Sequence, residues 1–98
     1  MSTDELIEAI IQWGKDRKID SLVWQSSKVT EEWGETVGEL NHRRFGADFK
    51  DGIGDTLVSL IIFAGLAGTD IRECLVQAYN EIKDRTGETI DGTFVKNS

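Results

Sequence analysis

Apolar residues recur along this chain at alternating spacings of three and four in four stretches, with no proline to break them, so the pattern predicts helices joined by short turns. The first covers about residues 3–17: Ser2 and Glu5 have capping-box spacing, and Leu6, Ile7, Ile10, Ile11 and Trp13 supply an apolar side. Asp20 or Ser21 then caps a second helix that reaches about Arg44. Its Leu22, Ser26, Val29, Trp33, Thr36 or Val37, and Leu40 form a seam toward other helices. Phe45-Gly46-Ala47-Asp48 reads as a helix end followed by a new cap, after which Ile53, Leu57, Leu60, Ile61 and Ala64 mark a third helix that Gly68 ends. Asp70 and Glu73, again at capping-box spacing, open a fourth helix that buries Ile71, Leu75, Ala78 and Ile82 and stops at Gly87. Residues 88–98 are left as a polar tail holding Ile90, Phe94 and Val95.

No repeat, low-complexity stretch or linker divides the 98 residues, so residues 1–98 are expected to form one domain of the all-α class, a four-helix bundle. A chain this short buries a modest fraction of its surface and is marginal alone. Residues 53–67 are nevertheless apolar nearly all round, which calls for burial on several sides. A homo-oligomer, dimer or tetramer, is therefore expected.

Composition narrows the partners. With 11 basic and 18 acidic residues the net charge is −7, which disfavours nucleic acid or an anionic membrane as partner. The lone Cys74 allows no internal disulfide and no Cys-rich metal site. The start Met1-Ser2-Thr3-Asp4-Glu5 lacks the positive charge of a secretory signal, and no run of about 18 apolar residues occurs, so a soluble cytoplasmic protein is expected.

Two acidic clusters carry the candidate chemistry. Lys28, Glu32, Glu35 and Glu39 follow one another at spacings of four, three and four, along one face of the second helix. Stacked like charges repel, so a cation is one natural compensator, and a solvated acidic face balanced by Lys28, Arg43 and Arg44 is the other. Asp51 and Asp55 stand four apart at the start of the third helix, where the helix dipole suits Asp51, while Asp55, beside Thr56-Leu57-Val58, is expected to be drawn toward the core. If the two helices pack antiparallel, the clusters face each other as a hard, oxygen-rich site for Mg2+ or Mn2+. His42 alone would not make a zinc site. Asn80 and Lys83, one turn apart, and Arg85 beyond them are donors of the kind that hold phosphate oxygens, or helix-end cations. Trp24, one position off the apolar seam, is a better stacking surface for a base than Trp33, which lies on it.

This arrangement resembles the MazG-like, all-alpha NTP pyrophosphohydrolases, in which a Glu-x-x-Glu pair on one helix and a Glu-x-x-Asp pair on the next bind Mg2+. Lys28-Val29-Thr30-Glu31-Glu32-Trp33-Gly34-Glu35 looks like the first motif and Asp51-Gly52-Ile53-Gly54-Asp55-Thr56-Leu57 like the second. Tyr79-Asn80-Glu81-Ile82-Lys83-Asp84-Arg85 is similar to the downstream segment that contacts the nucleotide, so the resemblance covers about residues 22–87. It implies that Glu32, Glu35 and Asp55 bind metal and that Asn80 and Lys83 lie near the phosphates. The departure is Gly52, which stands where the second pair has its first glutamate. Glu39, one turn beyond Glu35, and Asp51, rotated by about 100° on a helix, are the candidate replacements.

What the resemblance implies is Mg2+-dependent cleavage of a nucleoside triphosphate to the monophosphate and pyrophosphate, with Glu32 or Glu35 orienting or deprotonating the water and Lys28, Asn80, Lys83, Arg85 and Trp24 on the substrate. A pyrimidine deoxynucleotide such as dCTP or dUTP is the substrate expected. Two rivals follow from Gly52: a non-catalytic helical oligomerisation module, and a nucleotide-binding regulator that has lost a ligand.

Overall fold

Side-chain caps start three of the helices in the computed structural model, which describes residues 1–97; Ser98, the end of the expected tail, lies outside the described residues. Helix α1 (Thr3–Asp16) opens on the reciprocal Ser2–Glu5 box, with both hydrogen bonds at 3.1 Å. Helix α2 (Leu22–Asn41) is capped by Ser21 rather than Asp20, the hydroxyl accepting from the Trp24 N–H at 3.2 Å. Helix α3 (Ala47–Leu66) starts at Gly46 with no side-chain cap, and Asp48 sits inside its first turn instead of before it. Helix α4 (Ile71–Ile82) has Asp70 as its cap, but the acceptor serves the Arg72 N–H at 2.8 Å, and Glu73 turns back to the Thr69 hydroxyl, so the expected box does not form.

Three helices end in the same way. The N–H groups of Ile19, Arg44 and Thr69 reach back five residues to the carbonyls of Gly14, Glu39 and Ala64. The residue before each is in the left-handed region: Lys18 at φ 56°, Arg43 at φ 58° and Gly68 at φ 83°. This is the hydrogen bonding of a Schellman stop, usually signalled by glycine. Only Gly68 carries that signal, so the stop of α2, three residues before its expected end, left no mark in the sequence.

α3 is the centre of the fold, and among the described residues it is the helix that packs on each of the other three. Gln25 donates to the Ser59 carbonyl at 3.1 Å, and Thr36 lies against Gly52, so α2 and α3 run antiparallel. Gly14 of α1 lets Ile62 approach so closely that a Cβ would sit 3.3 Å from Ile62 Cγ1. Ile61, Ile62 and Ala64 form the buried apolar core. α4 leaves α3 at a bend of 100°.

Four expectations change. Of the expected seam, α2 buries Thr36 and half-buries Val29 and Val37, but it turns Gln25 and Glu32 toward α3 beside Thr36 and leaves Leu22, Trp33 and Leu40 exposed, Trp33 at 53%. The reason is the small Thr36–Gly52 contact, which draws the helices together on that face. α4 does not bury Leu75 and Ile82, exposed at 70% and 54%, because the bend leaves one side of it uncovered. α3 is buried near Ile61–Ala64 but leaves Ile53 and Leu57 open. The fold is mostly helical rather than all-α: α4 ends at Ile82, short of Gly87, and the expected tail is an antiparallel hairpin, β1 (Gly87–Ile90) and β2 (Thr93–Lys96). Asp91 and Gly92, at φ 51° and 79°, make its two-residue turn, and the Phe94 ring covers Gly87. No single helix among the described residues is long and apolar enough to cross a membrane.

Arg72 ties the start of α4 to α1, binding Asp70 beside it and Asp4 and Glu8 of α1. The hydrogen bonds that Asp70 accepts from the Arg72 side chain and backbone hold its carboxyl at about 2, below its ordinary 3.8. A depressed carboxylate contributes stability that is complete above its unfolded value and is lost as pH falls through the folded one. Thermal melts of wild type and Asp70→Asn should therefore differ at pH 7, with the gap closing as the pH is lowered from about 4 to about 2. The α2–α3 contact makes a second prediction. Gly52→Ala should destabilise by about 1–3 kcal/mol in urea titration, and Thr36→Ala in the same chain should restore part of the loss.

Candidate functional site

The helical register explains how the acidic residues meet. Glu32, Glu35 and Glu39 lie on neighbouring turns of α2, and Asp48, Asp51 and Asp55 on neighbouring turns at the start of α3. With the helices antiparallel, these six carboxylates line one cavity of about 230 Å3, floored by Thr36 and Gly52. Thr36 is 2% exposed and donates to the Glu32 carbonyl at 2.9 Å, while Thr56 donates to the Gly52 carbonyl at 2.8 Å. Neither hydroxyl needs the other helix, and the backbones can close up. A Cβ on Gly52 would fall onto Thr36 Oγ1. A glutamate at this position is therefore sterically excluded.

Charge in the cavity is uneven. Lys28 Nζ stands 3.1 Å from Glu32 and 3.7 Å from Glu31, and the Glu32 hydrogen bond, then the two negative charges, raise its pKa. Arg44 binds Glu39 at 2.8 Å and lowers the pKa of that carboxyl. Glu35, Asp48, Asp51 and Asp55 form no ion pair among the described residues. Asp55 is exposed at the rim, not drawn into the core as expected, because the chain turns Thr56 and Ser59 inward. Its pKa is nevertheless raised, first by lost hydration and then by Asp51 and Glu32.

Among the described residues no three of these side chains converge tightly enough to grip a metal ion. The donor chemistry still fits a hard divalent cation: all six groups are carboxylates, and Asp55 has lost hydration and faces Asp51 and Glu32, which Lys28 offsets only in part. Both replacements for the missing glutamate, Glu39 and Asp51, border the same cavity.

The remaining sequence candidates separate. Lys28 and Trp24 border a second cavity of about 600 Å3 beside the first, sharing Glu32 and Asp55 with it. Asn80, Lys83 and Arg85 do not reach either cavity: Asn80 borders a shallow cleft on the outer side of α4, Lys83 caps that helix, and Arg85 lies in the connection to β1. The bend after α3 carries them away. Asp48 was legible as a third carboxylate at helical spacing before Asp51 and Asp55, but its place beside Gly46 suggested a cap instead. Trp13, Arg17 and Lys18 also border the second cavity; the five residues that join α1 to α2 keep the end of one helix near the start of the other, but nothing in the sequence marks these side chains as ligands.

Comparison with family models, with curated proteins and with solved structures finds no match, so function is read from these residues.

Asp51 and Asp55 repel at a separation of one turn, so Asp55→Asn should raise stability without divalent cations by roughly 0.2–0.5 kcal/mol. Millimolar Mg2+ should raise the melting temperature of the wild type and do so less for the variant. Equal shifts in both proteins, or none, would show that the carboxylates hold no ion.

Proposed function

We propose that the chain is a Mg2+-dependent nucleoside triphosphate pyrophosphohydrolase of the MazG-like type, working in the cytoplasm as a homo-oligomer. The observation that carries this reading is the cavity lined by six carboxylates, with two cationic side chains engaged at its edge and Asp55 left under repulsion. Glu32, Glu35 and Asp55 would hold the ion. Glu39 is held back by Arg44, so Asp51 replaces the glutamate that Gly52 excludes. When bound, Mg2+ screens the phosphate charges and makes water more acidic. Glu35, free of ion pairs among the described residues, orients the attacking water and takes its proton as the bond between the first and second phosphates breaks. Lys28 pairs with Glu32 and offers its remaining donors to a phosphate oxygen. A pyrimidine deoxynucleotide such as dCTP or dUTP is the substrate we favour.

The oligomer is supported by surface area. One chain exposes 7567 Å2, against about 5,600 Å2 for a folded monomer of this mass. The excess, about 1,900 Å2, is what one partner contributes to an obligate interface. The open apolar side chains of α2, α3 and α4, among them Trp33, Leu57 and Leu75, are the surface available for it.

A nucleotide-binding regulator without turnover is the second reading, and the steric exclusion of a ligand at Gly52 is the observation that favours it. Pyrophosphate release from a panel of nucleoside and deoxynucleoside triphosphates decides between them. The hydrolase predicts Mg2+-dependent release by a species heavier than one chain in light scattering, reduced by a factor of roughly 100 or more in Glu35→Gln and in Asp55→Asn. Nucleotide binding with no release would establish the regulator.

A further inference from the structure

The groove beside the carboxylates holds features the metal site does not use. It lies between the C-terminal end of α1, the first half of α2 and the middle of α3, and its volume of about 600 Å3 is that of a small-molecule site. Glu32 and Asp55 border both it and the acidic cavity, so the two form one surface. Its charged lining is balanced, Arg17, Lys18 and Lys28 against Asp20, Glu32 and Asp55. Arg17 and Lys18 form no ion pair among the described residues, Asp20 included. Arg17 is held in place: its guanidinium lies 4.0 Å from the Trp13 ring centre and donates to the Trp13 carbonyl at 3.3 Å. Lys18 has a left-handed backbone, φ 56°, at the turn that brings it to the groove.

On α2 the groove presents a ruler. Trp24, Lys28 and Glu32 succeed one another at one-turn intervals, an apolar plane, a cation and a carboxylate over about 12 Å. Trp24 is 75% exposed and no cation covers its ring among the described residues, whereas Arg17 covers Trp13. An aromatic base, a phosphate chain and a bound metal occur in that order, at that scale, in a metal-bound nucleoside triphosphate.

We propose that this groove is the nucleotide-binding site, with the base on Trp24 and the phosphates gathered by Lys28, Arg17 and Lys18. The proposal rests on the reading of Glu32 and Asp55 as metal-binding groups. It assigns phosphate recognition to the end of α1, in place of Asn80, Lys83 and Arg85 of α4. Nucleotide affinity in the groove comes from Lys28 on α2 and from Arg17 and Lys18 in the short connection between α1 and α2.

Calorimetric titration of the full chain in Mg2+ tests it, with dCTP, dUTP, ATP and inorganic tripolyphosphate as probes. Removing both cations, Arg17→Gln with Lys18→Gln, should weaken tripolyphosphate and the bound nucleotides roughly tenfold or more. Trp24→Ala should weaken the nucleotides and leave tripolyphosphate unchanged. Arg17→Lys, which keeps the charge, should recover part of the affinity, and circular dichroism confirms that each variant is folded. Failure of the wild type to bind any probe would overturn the proposal, as would affinity kept in the double variant and lost in Asn80→Ala with Lys83→Gln. Binding as described without pyrophosphate release would leave the groove standing and remove the hydrolase. Release by the double variant at an unchanged KM would do the reverse.

Discussion

The rest of the structure depends on the close approach of α2 and α3 at Thr36 and Gly52. Two helices pack nearest where their facing residues are smallest, and here one side is a fully buried threonine whose hydroxyl is satisfied within its own helix. The other is a glycine with no room for a Cβ. This contact sets the rotation of both helices. It places Gln25 against the Ser59 carbonyl further along the pair, and it turns the carboxylate stripe of α2 onto the first turns of α3. The position where the resembled family has a glutamate is thereby given to packing.

That rotation fixes the electrostatics as well. Carboxylates that would be solvated on a lone helix are brought opposite one another, and Asp55 loses hydration and gains repulsion. Lys28 and Arg44 neutralise one glutamate each, at opposite ends of the stripe. The centre, around Glu35 and Asp51, has no ion pair among the described residues. The neighbouring groove is more evenly charged, with Arg17, Lys18 and Lys28 beside Asp20, Glu32 and Asp55.

The same rotation leaves apolar surface open. Because α2 spends its inner face on small and acidic residues, Leu22, Trp33 and Leu40 point away from the core. The 100° turn after α3 adds one side of α4 to the exposed surface. The hairpin packs on no helix among the described residues, and a two-stranded hairpin is marginal alone.

The sequence by itself determined the helices and most of their starts, because capping and periodicity are local: Ser2 with Glu5, Ser21 and Asp70 each act within three residues of themselves. It also showed the carboxylates of both clusters, since spacing on one helix is a property of the chain. The Asp91-Gly92 turn was equally local and legible, between alternating residues, yet the polar composition around it read as a tail. Tertiary structure alone decided which face of α2 turns inward, because a threonine and a glycine outweigh a stripe of larger apolar residues only when they meet. It decided too that Asn80, Lys83 and Arg85 stand apart while Arg17 and Lys18 border the groove. The first placement follows from the bend after α3, which leaves no mark on local pattern; the second follows from the packing of α1 on α3, which opens the groove beside the short connection from α1 to α2.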